Sequence, residues 1–356
     1  MDSARLLIVG HTGATHVGSH LRRAAEALGV ATSMCDAAEA YAGPAWRRRA
    51  DWWLRGRRPS RLDAFGREVL DAARRFEPTL VLTTGLAPVG ADILDALGAM
   101  GTVRANFLTD DPWNPAHRAP WFFDGLGHYD HVFSPRRANL DDLNRAGCPA
   151  VHYLPFGYDP GVHFIEPAQS EQERARYRSD VMLAGGADRD RVALVAALAR
   201  AGLDVAVYGG YWERFPETAG LSRGGLDAAG LRRATSTASV ALGLVRRANR
   251  DGHAMRSFEV PAMGGCLLAE ATTDHREIFG AEGEAVMYFG TPDEAAAAAA
   301  RLVADENLRR RLARNAHGIV TRGGHTYQDR LRALLDRALA THAQDRDCRP
   351  GPVSRV

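Results

Sequence analysis

The chain has 356 residues and a mass of 38.6 kDa, with 46% hydrophobic and 25% charged residues, which is more length than one core usually serves and sets an expectation of two domains. The formal charge of +2 gives no general field for nucleic acid or membranes, and all 45 cationic side chains are arginine, which excludes a Schiff-base or pyridoxal-phosphate lysine and a Walker-type phosphate loop. Cys35, Cys148, Cys266 and Cys348 form no C-x-x-C pair, no apolar run approaches about 18 residues, and the opening MDSARLLIVG lacks a basic leader, so a cytoplasmic, soluble protein is expected.

The first unit reads as strand, loop and helix. RLLIVG is an apolar run ending in glycine, and THVGSHLRRAAEALG puts Val17, Leu21, Ala24, Ala25 and Leu28 on one helical face before a stop at Gly29. Between them, Gly10, Gly13 and Gly18 depart from the G-x-G-x-x-G spacing of a dinucleotide site, although Asp36 could close the second strand. No dinucleotide cofactor is expected. The loop either contacts substrate through Thr12, Gly13, His16 or His20, or is a tight turn with its histidines exposed or capping.

Residues 46–61, WRRRADWWLRGRRPSR, hold seven arginines against one aspartate, with three tryptophans. Such a segment can lie on an anionic membrane or hold a charged acceptor. In a near-neutral protein the preferred reading is a solvated insertion whose tryptophans pack on the domain.

Apolar runs at 79–85, 103–111, 131–135 and 150–157 continue the alternation and predict a parallel sheet covered on both faces. NFLTDDPWNP ends one of them in Asp110 and Asp111, at the carboxyl edge where ligands of open α/β sheets bind. Either acid can serve as a base or accept from a hydroxyl; alternatively, Asp111 caps the turn at Pro112. No third acid or histidine stands at a ligand spacing, so no metal is expected.

A polar interval over 159–179 precedes a second series, DVMLAGG, DVAVYGG, SVALGLV, GCLLAE and AVMYFG, which predicts a second Rossmann-like domain after a boundary near 160. TPDEAAAAAARLVAD opens with a capping box, Thr291, Pro292 and Glu294; two more helices follow, and the tail CRPGPVSRV reads as disordered.

RANRDGHAMRSFEVPAMGGCLLAEA, Arg247–Ala271, places the first turn of a helix at the second carboxyl edge. A helix N-terminus with Arg250 and Arg256 suits phosphate, and Glu259 is a lone acid on an apolar side where ribose hydroxyls, or an arginine in a structural ion pair, would satisfy it. Gly264 and Gly265 leave room for close approach.

Together NFLTDDPWN, LPFGYDP, ANRDGHAMRSFE and the Gly-Gly step, with HTYQDRLRALL near the end, resemble the spore-coat CgeB-like glycosyltransferases of the GT-B superfamily over nearly the whole chain. The resemblance implies an α/β GT-B fold: two Rossmann-like domains with parallel sheets facing a central cleft, residues 1–160 on the acceptor side and 161–325 on the donor side. It implies a helix over 326–342 that can return to the first domain, with 343–356 left as the tail. It implies metal-independent transfer of a sugar, as a hexosyltransferase, from a nucleotide-diphosphate sugar to an unidentified acceptor, without a bound cofactor. The donor side would comprise Arg250, His253, Arg256, Glu259, Gly264, Gly265, Gly185, Gly186, Tyr208 and Gly209. The family's Glu-x7-Glu pattern places Glu259 on the donor ribose and Asp251, a shorter acid than the family's, near the sugar. Asp110, Asp111 or His16 would take the acceptor proton. An epimerase or hydrolase of the same fold, and a non-catalytic nucleotide-sugar-binding protein, are the alternatives.

Overall fold

The computed structural model describes residues 4–347, and the chain divides into two compact units. The first takes the residues up to Pro155, the tripeptide Ala248–Arg250 and the helix that begins at Tyr327; the second takes Phe156–Arg247 and Asp251–Thr326. The break falls at Pro155, before the 160 drawn from composition, because the following backbone already bonds within the second unit. Phe156 N–H donates to His253 Nε2 at 3.2 Å and Tyr158 N–H to the His325 carbonyl at 3.1 Å. Of the tail expected from 343, residues 343–347 still belong to the helix that begins at Tyr327, and CRPGPVSRV lies outside the described residues.

Six strands build the first sheet: β1 (Arg5–Gly10), β2 (Ala31–Asp36), β3 (Leu80–Thr84), β4 (Val103–Phe107), β5 (His131–Ser134) and β6 (Val151–Tyr153). They lie in the order β2-β1-β3-β4-β5-β6, all parallel. The apolar runs overshot the strands at their carboxyl ends, since Leu108 and the residues after it already form the loop that carries Asp110 and Asp111.

A parallel neighbour cannot be reached by a hairpin, so helices cross over and cover the sheet. Helix Leu62–Phe76 shows how: Leu62, Phe65, Gly66, Val69, Leu70 and Ala73 recur at helical spacing, are buried, and meet Leu7, Val9 and Val81 of the sheet. Gly66 is required there, because a Cβ would fall 2.7 Å from Ile93 Cγ1. Helix Tyr327–Asp347 packs against helix Val17–Ala27, with the rings of His20 and Tyr327 stacked at 5.0 Å. Helix Ala45–Leu54 departs from the preferred reading of residues 46–61, since its tryptophans are exposed rather than packed on the domain.

The second sheet contains β7 (Val181–Ala184), β8 (Val205–Tyr208), β9 (Val240–Gly243), β10 (Leu267–Glu270) and β11 (Met287–Phe289), in the order β11-β10-β9-β7-β8. These strands are also parallel, and their side chains are buried almost throughout, as a sheet covered on both faces requires. Helix Pro292–Ala304 starts with the expected capping box, Thr291 and Glu294 exchanging hydrogen bonds. Among the described residues no helix is long and apolar enough to cross a membrane.

Phe65 is 2% exposed at the centre of the first core, so Phe65→Ala is expected to cost about 3–4 kcal/mol in a urea titration of the first unit. A loss below about 1 kcal/mol would remove this helix from the core.

Candidate functional site

In each sheet the chain builds outward in one direction and then reverses. β1 lies between β2 and β3, and β7 between β8 and β9. At such a switch the connections on the two sides lead away from each other and leave a crevice beyond the carboxyl ends of the strands, where ligands of open α/β sheets bind. The topology therefore singles out the loops after β1 and β3 in the first unit, and after β7 and β9 in the second.

At the first switch, Thr12 Oγ1 donates to Asp36 Oδ2, while Asp36 Oδ1 accepts from Ala38 N–H at 3.0 Å and caps the turn that follows. Desolvation opposes ionisation of Asp36, but these hydrogen bonds prevail and hold its carboxyl below the usual range. The acid considered for a dinucleotide ribose is thus engaged by its own loop. His16 is exposed at the start of helix Val17–Ala27 and makes no side-chain cap; desolvation, then the neighbouring imidazoles of His11 and His20, lower its basicity. A Cβ on Gly13 would lie 2.6 Å from His16 Cδ2 of that exposed ring.

The two adjacent aspartates separate into different roles. Asp110 is half-buried at the end of β4, with Oδ2 3.4 Å from Thr109 Oγ1 and beside Gly85, the left-handed residue that ends β3. Arg136 holds the preceding carbonyls of Leu108 and Thr109 at 3.2 and 2.7 Å. Asp111 is fully buried, and its lone pairs are taken. Oδ1 accepts from Trp113 N–H at 3.0 Å, Asn139 Nδ2 at 2.9 Å and Arg250 Nη2 at 3.0 Å, and Oδ2 accepts from Arg250 Nε at 2.6 Å. The turn reading of Asp111 is the one its contacts support, not that of an acceptor base.

The same fork engages Arg250, expected at phosphate, with the protein's own carboxylates. Beyond Asp111, its Nη1 donates to Asp142 Oδ2 at 2.6 Å, and these carboxylates raise its already high basicity. The hydrogen bond from Arg250 is also the largest cause that holds Asp142 below the usual carboxylate range. Asn249 Oδ1, in the same tripeptide, accepts from Asn114 Nδ2 at 2.6 Å. DDPWN and ANR, two motifs far apart in sequence, thus meet within the first unit.

In the second unit several expected ligand groups serve the protein itself. Gly209, with φ of 131°, would place a Cβ 2.6 Å from the Gly185 carbonyl, so it lets the loops after β7 and β8 touch. Tyr208 is a buried strand residue. Gly264 ends helix Arg256–Ala262 in the left-handed region against Ile165, and a Cβ on Gly265 would collide with Thr235 and Val260. His253 is buried with both nitrogens used: Nε2 accepts from Phe156 N–H, which leaves Nδ1 as the donor to Asp274 Oδ2 at 2.9 Å. The N-terminal amides expected to face phosphate are bonded instead, Ser257 to the Ala254 carbonyl and Phe258 and Glu259 to that of Met255.

Glu259 remains the buried acid of this helix, 1% exposed and ion-paired to Arg256 one turn earlier, with His163 Nε2 at 3.5 Å. Neither of its oxygens accepts a hydrogen bond of good geometry among the described residues.

The cations that do stand at the second switch are Arg191 and Arg246, which the sequence reading passed over. Asp188 caps helix Arg189–Arg200, and Arg191, in its first turn, reaches back to the Gly186 carbonyl at 3.0 Å. Arg246 follows β9; its N–H donates to Asp251 Oδ2 at 3.2 Å and its Nε lies 3.9 Å from Asp188 Oδ2. Burial, then the charge of Arg246, lowers the basicity of Arg191. The two guanidiniums share one neighbour, Arg191 Nε lying 3.6 Å and Arg246 Nε 3.9 Å from Asp188 Oδ2, so the cations flank a single carboxylate and together can meet an anion. The available signal was an arginine five residues past the Gly-Gly loop of DVMLAGG.

Residues 189–336 match the Glycosyl transferase-like family. The matched stretch holds Arg191, Arg246, Asp251, Arg256 and Glu259. No curated protein matches the chain in sequence. Among solved structures it is similar to sucrose-phosphate synthase from Thermosynechococcus elongatus, at 13% identity and a TM-score of 0.67, over 96% of this chain and 100% of that one. It is similar to Anabaena HepE in complex with UDP and glucose, at 12% and 0.66 over 95% and 100%, and to T4 phage BGT in complex with its UDP-glucose substrate, at 13% and 0.59 over 94% and 99%. At these identities the likeness defines the fold, an α/β two-domain GT-B fold.

Two consequences are measurable. Arg250→Ala leaves the buried Asp111 carboxylate without its counter-charge and is expected to cost about 2–3 kcal/mol, discounted for the partly exposed guanidinium, in a denaturant titration. His275 is fully buried; Nδ1 donates to the Glu270 carbonyl at 2.7 Å, and Nε2 accepts from Ser257 Oγ at the same distance. Burial lowers its pKa from 6.5 to about 4. The unfolded chain therefore takes up this proton first, and stability should fall by up to about 3 kcal/mol as pH drops from 6.5 to 4. His275→Gln should flatten that part of the profile.

Proposed function

We propose that the protein transfers a hexose from a nucleotide-diphosphate sugar to an acceptor, with the donor on the second unit. The observation that carries this reading is the Arg191 and Arg246 pair at the β7/β9 switch, inside the stretch that matches the Glycosyl transferase-like family. Neighbours of the same fold solved with UDP and glucose or with UDP-glucose support a nucleotide-sugar donor. The motifs DDPWN, LPFGYDP and ANRDGHAMRSFE support the CgeB-like subtype.

In the proposed reaction the nucleotide diphosphate leaves with developing negative charge, which two preorganised guanidiniums stabilise. They supply the positive charge themselves, so the reaction is proposed to need no metal ion and no further cofactor. Glu259 accepts from the ribose hydroxyls, with Arg256 paired to its carboxylate, and Gly186 and Asp251 border the sugar. In the first unit Asp110 is the proposed base for the acceptor hydroxyl, with His16 as the reserve, whose lowered basicity leaves it neutral and able to accept a proton near pH 7. A cytoplasmic location is proposed from the scattered spacing of the cysteines in the sequence.

Arg246→Gln is expected to lower kcat/KM by about 10²–10³-fold with the fold intact, whereas Glu259→Gln should raise the donor Kd by about tenfold or more. Nucleotide release from UDP-, GDP- and dTDP-sugars should depend on an acceptor and persist in EDTA. Release that ignores every acceptor would point to a hydrolase or epimerase, and saturable binding without release to a binding protein.

A further inference from the structure

We propose that helix Ala45–Leu54 docks the first unit onto an anionic lipid bilayer surface. Trp46, Ala50, Trp53 and Leu54 recur at i, i+4, i+7 and i+8 and form one apolar stripe along the helix. Three of the four are large and open to solvent: Trp46 is 65% exposed, Trp53 79% and Leu54 83%. A soluble surface rarely gathers two tryptophans and a leucine on a single helical face.

The stripe is presented on a fixed base. Asp51, beside the stripe, is buried; its Oδ2 accepts from Ser60 N–H at 2.8 Å and its Oδ1 lies 3.2 Å from Arg55 Nη1. Just past the helix, the Arg57 carbonyl accepts from Trp121 Nε1 at 3.1 Å, and Arg57 Nη2 donates to the Pro115 carbonyl at 2.8 Å.

Charge identifies the occupant. Arg47, Arg48 and Arg49 are the third to fifth residues of the helix and have no acidic partner among the described residues, and the first turn carries no acid. Three cations at the positive end of a helix dipole oppose the helix, and an external layer of anions relieves them. An anionic headgroup layer does so while the boundary below it accepts indole rings and leucine, with the arginine stems reaching out to phosphate. Nucleic acid would reward the cations and the indoles but not Leu54. At 10 residues the helix is far short of the ~20 a bilayer span needs, so it lies in the plane of the surface. None of this rests on glycosyl transfer, and the test below uses no sugar donor.

Full-length protein is to be sedimented with vesicles of phosphatidylcholine alone and of phosphatidylcholine with about one third phosphatidylglycerol. Binding is expected to the anionic vesicles, with a blue shift of tryptophan emission, and to weaken as salt is raised. The Trp46→Ser, Trp53→Ser, Leu54→Ser triple variant should lose at least about tenfold in partition at unchanged Tm, because the replaced side chains are exposed. The Arg47→Gln, Arg48→Gln, Arg49→Gln variant should bind more weakly and lose most of its salt dependence. Wild-type protein that ignores anionic vesicles, or a triple variant that binds them equally well, overturns the proposal. So does wild-type self-association that hides the tryptophans and is abolished in the triple variant without any lipid binding.

Discussion

Everything that positions this protein's chemistry follows from parallel strand pairing. A parallel neighbour is reached only by a crossover, so each strand of both sheets sends its following loop to the same edge and its helix to a face. The faces are thereby sealed with apolar side chains, and the polar residues collect in the loops at the carboxyl edge. Where β1 parts β2 from β3, and where β7 parts β8 from β9, those loops diverge. The His16 and Asp110 loops stand at or beside the first parting, and Arg191 and Arg246 at the second.

An arginine-only chain must use one side chain for two purposes, and burial sorts them. Arg250 forks onto the fully buried Asp111, and Arg256 pairs with Glu259, itself 1% exposed; each guanidinium neutralises a carboxylate that would be costly alone. Arg191 is different. Its guanidinium is drawn into the protein, donates to the Gly186 carbonyl and shares the Asp188 carboxylate with Arg246. Helix Ala45–Leu54 shows a third outcome, cations turned outward beside exposed indoles.

Much of the architecture was legible as periodicity. Apolar runs ending in glycine, alternating with amphipathic stretches, predict two parallel sheets, and Thr291, Pro292 and Glu294 announce their helix from local chemistry alone. Strand ends were less legible, since the run through Leu108 stays apolar after the backbone has left the ladder. The candidate site was legible as a set of loops but not as a set of side chains. Arg250 and Arg191 look alike in a sequence; Arg250 is the one engaged by Asp111 and Asp142, and those partners lie more than 100 residues away.

The sequence by itself determined the fold class, the carboxyl-edge loops and the absence of lysine chemistry, because these depend on local spacing and on which side chains exist at all. Tertiary structure alone decided which glycines yield to the protein's own backbone, which aspartate is buried, which arginines are already paired, and that the tryptophans at 46 and 53 stand in solvent. Those are properties of distance and burial between residues remote in sequence, and no local pattern encodes them.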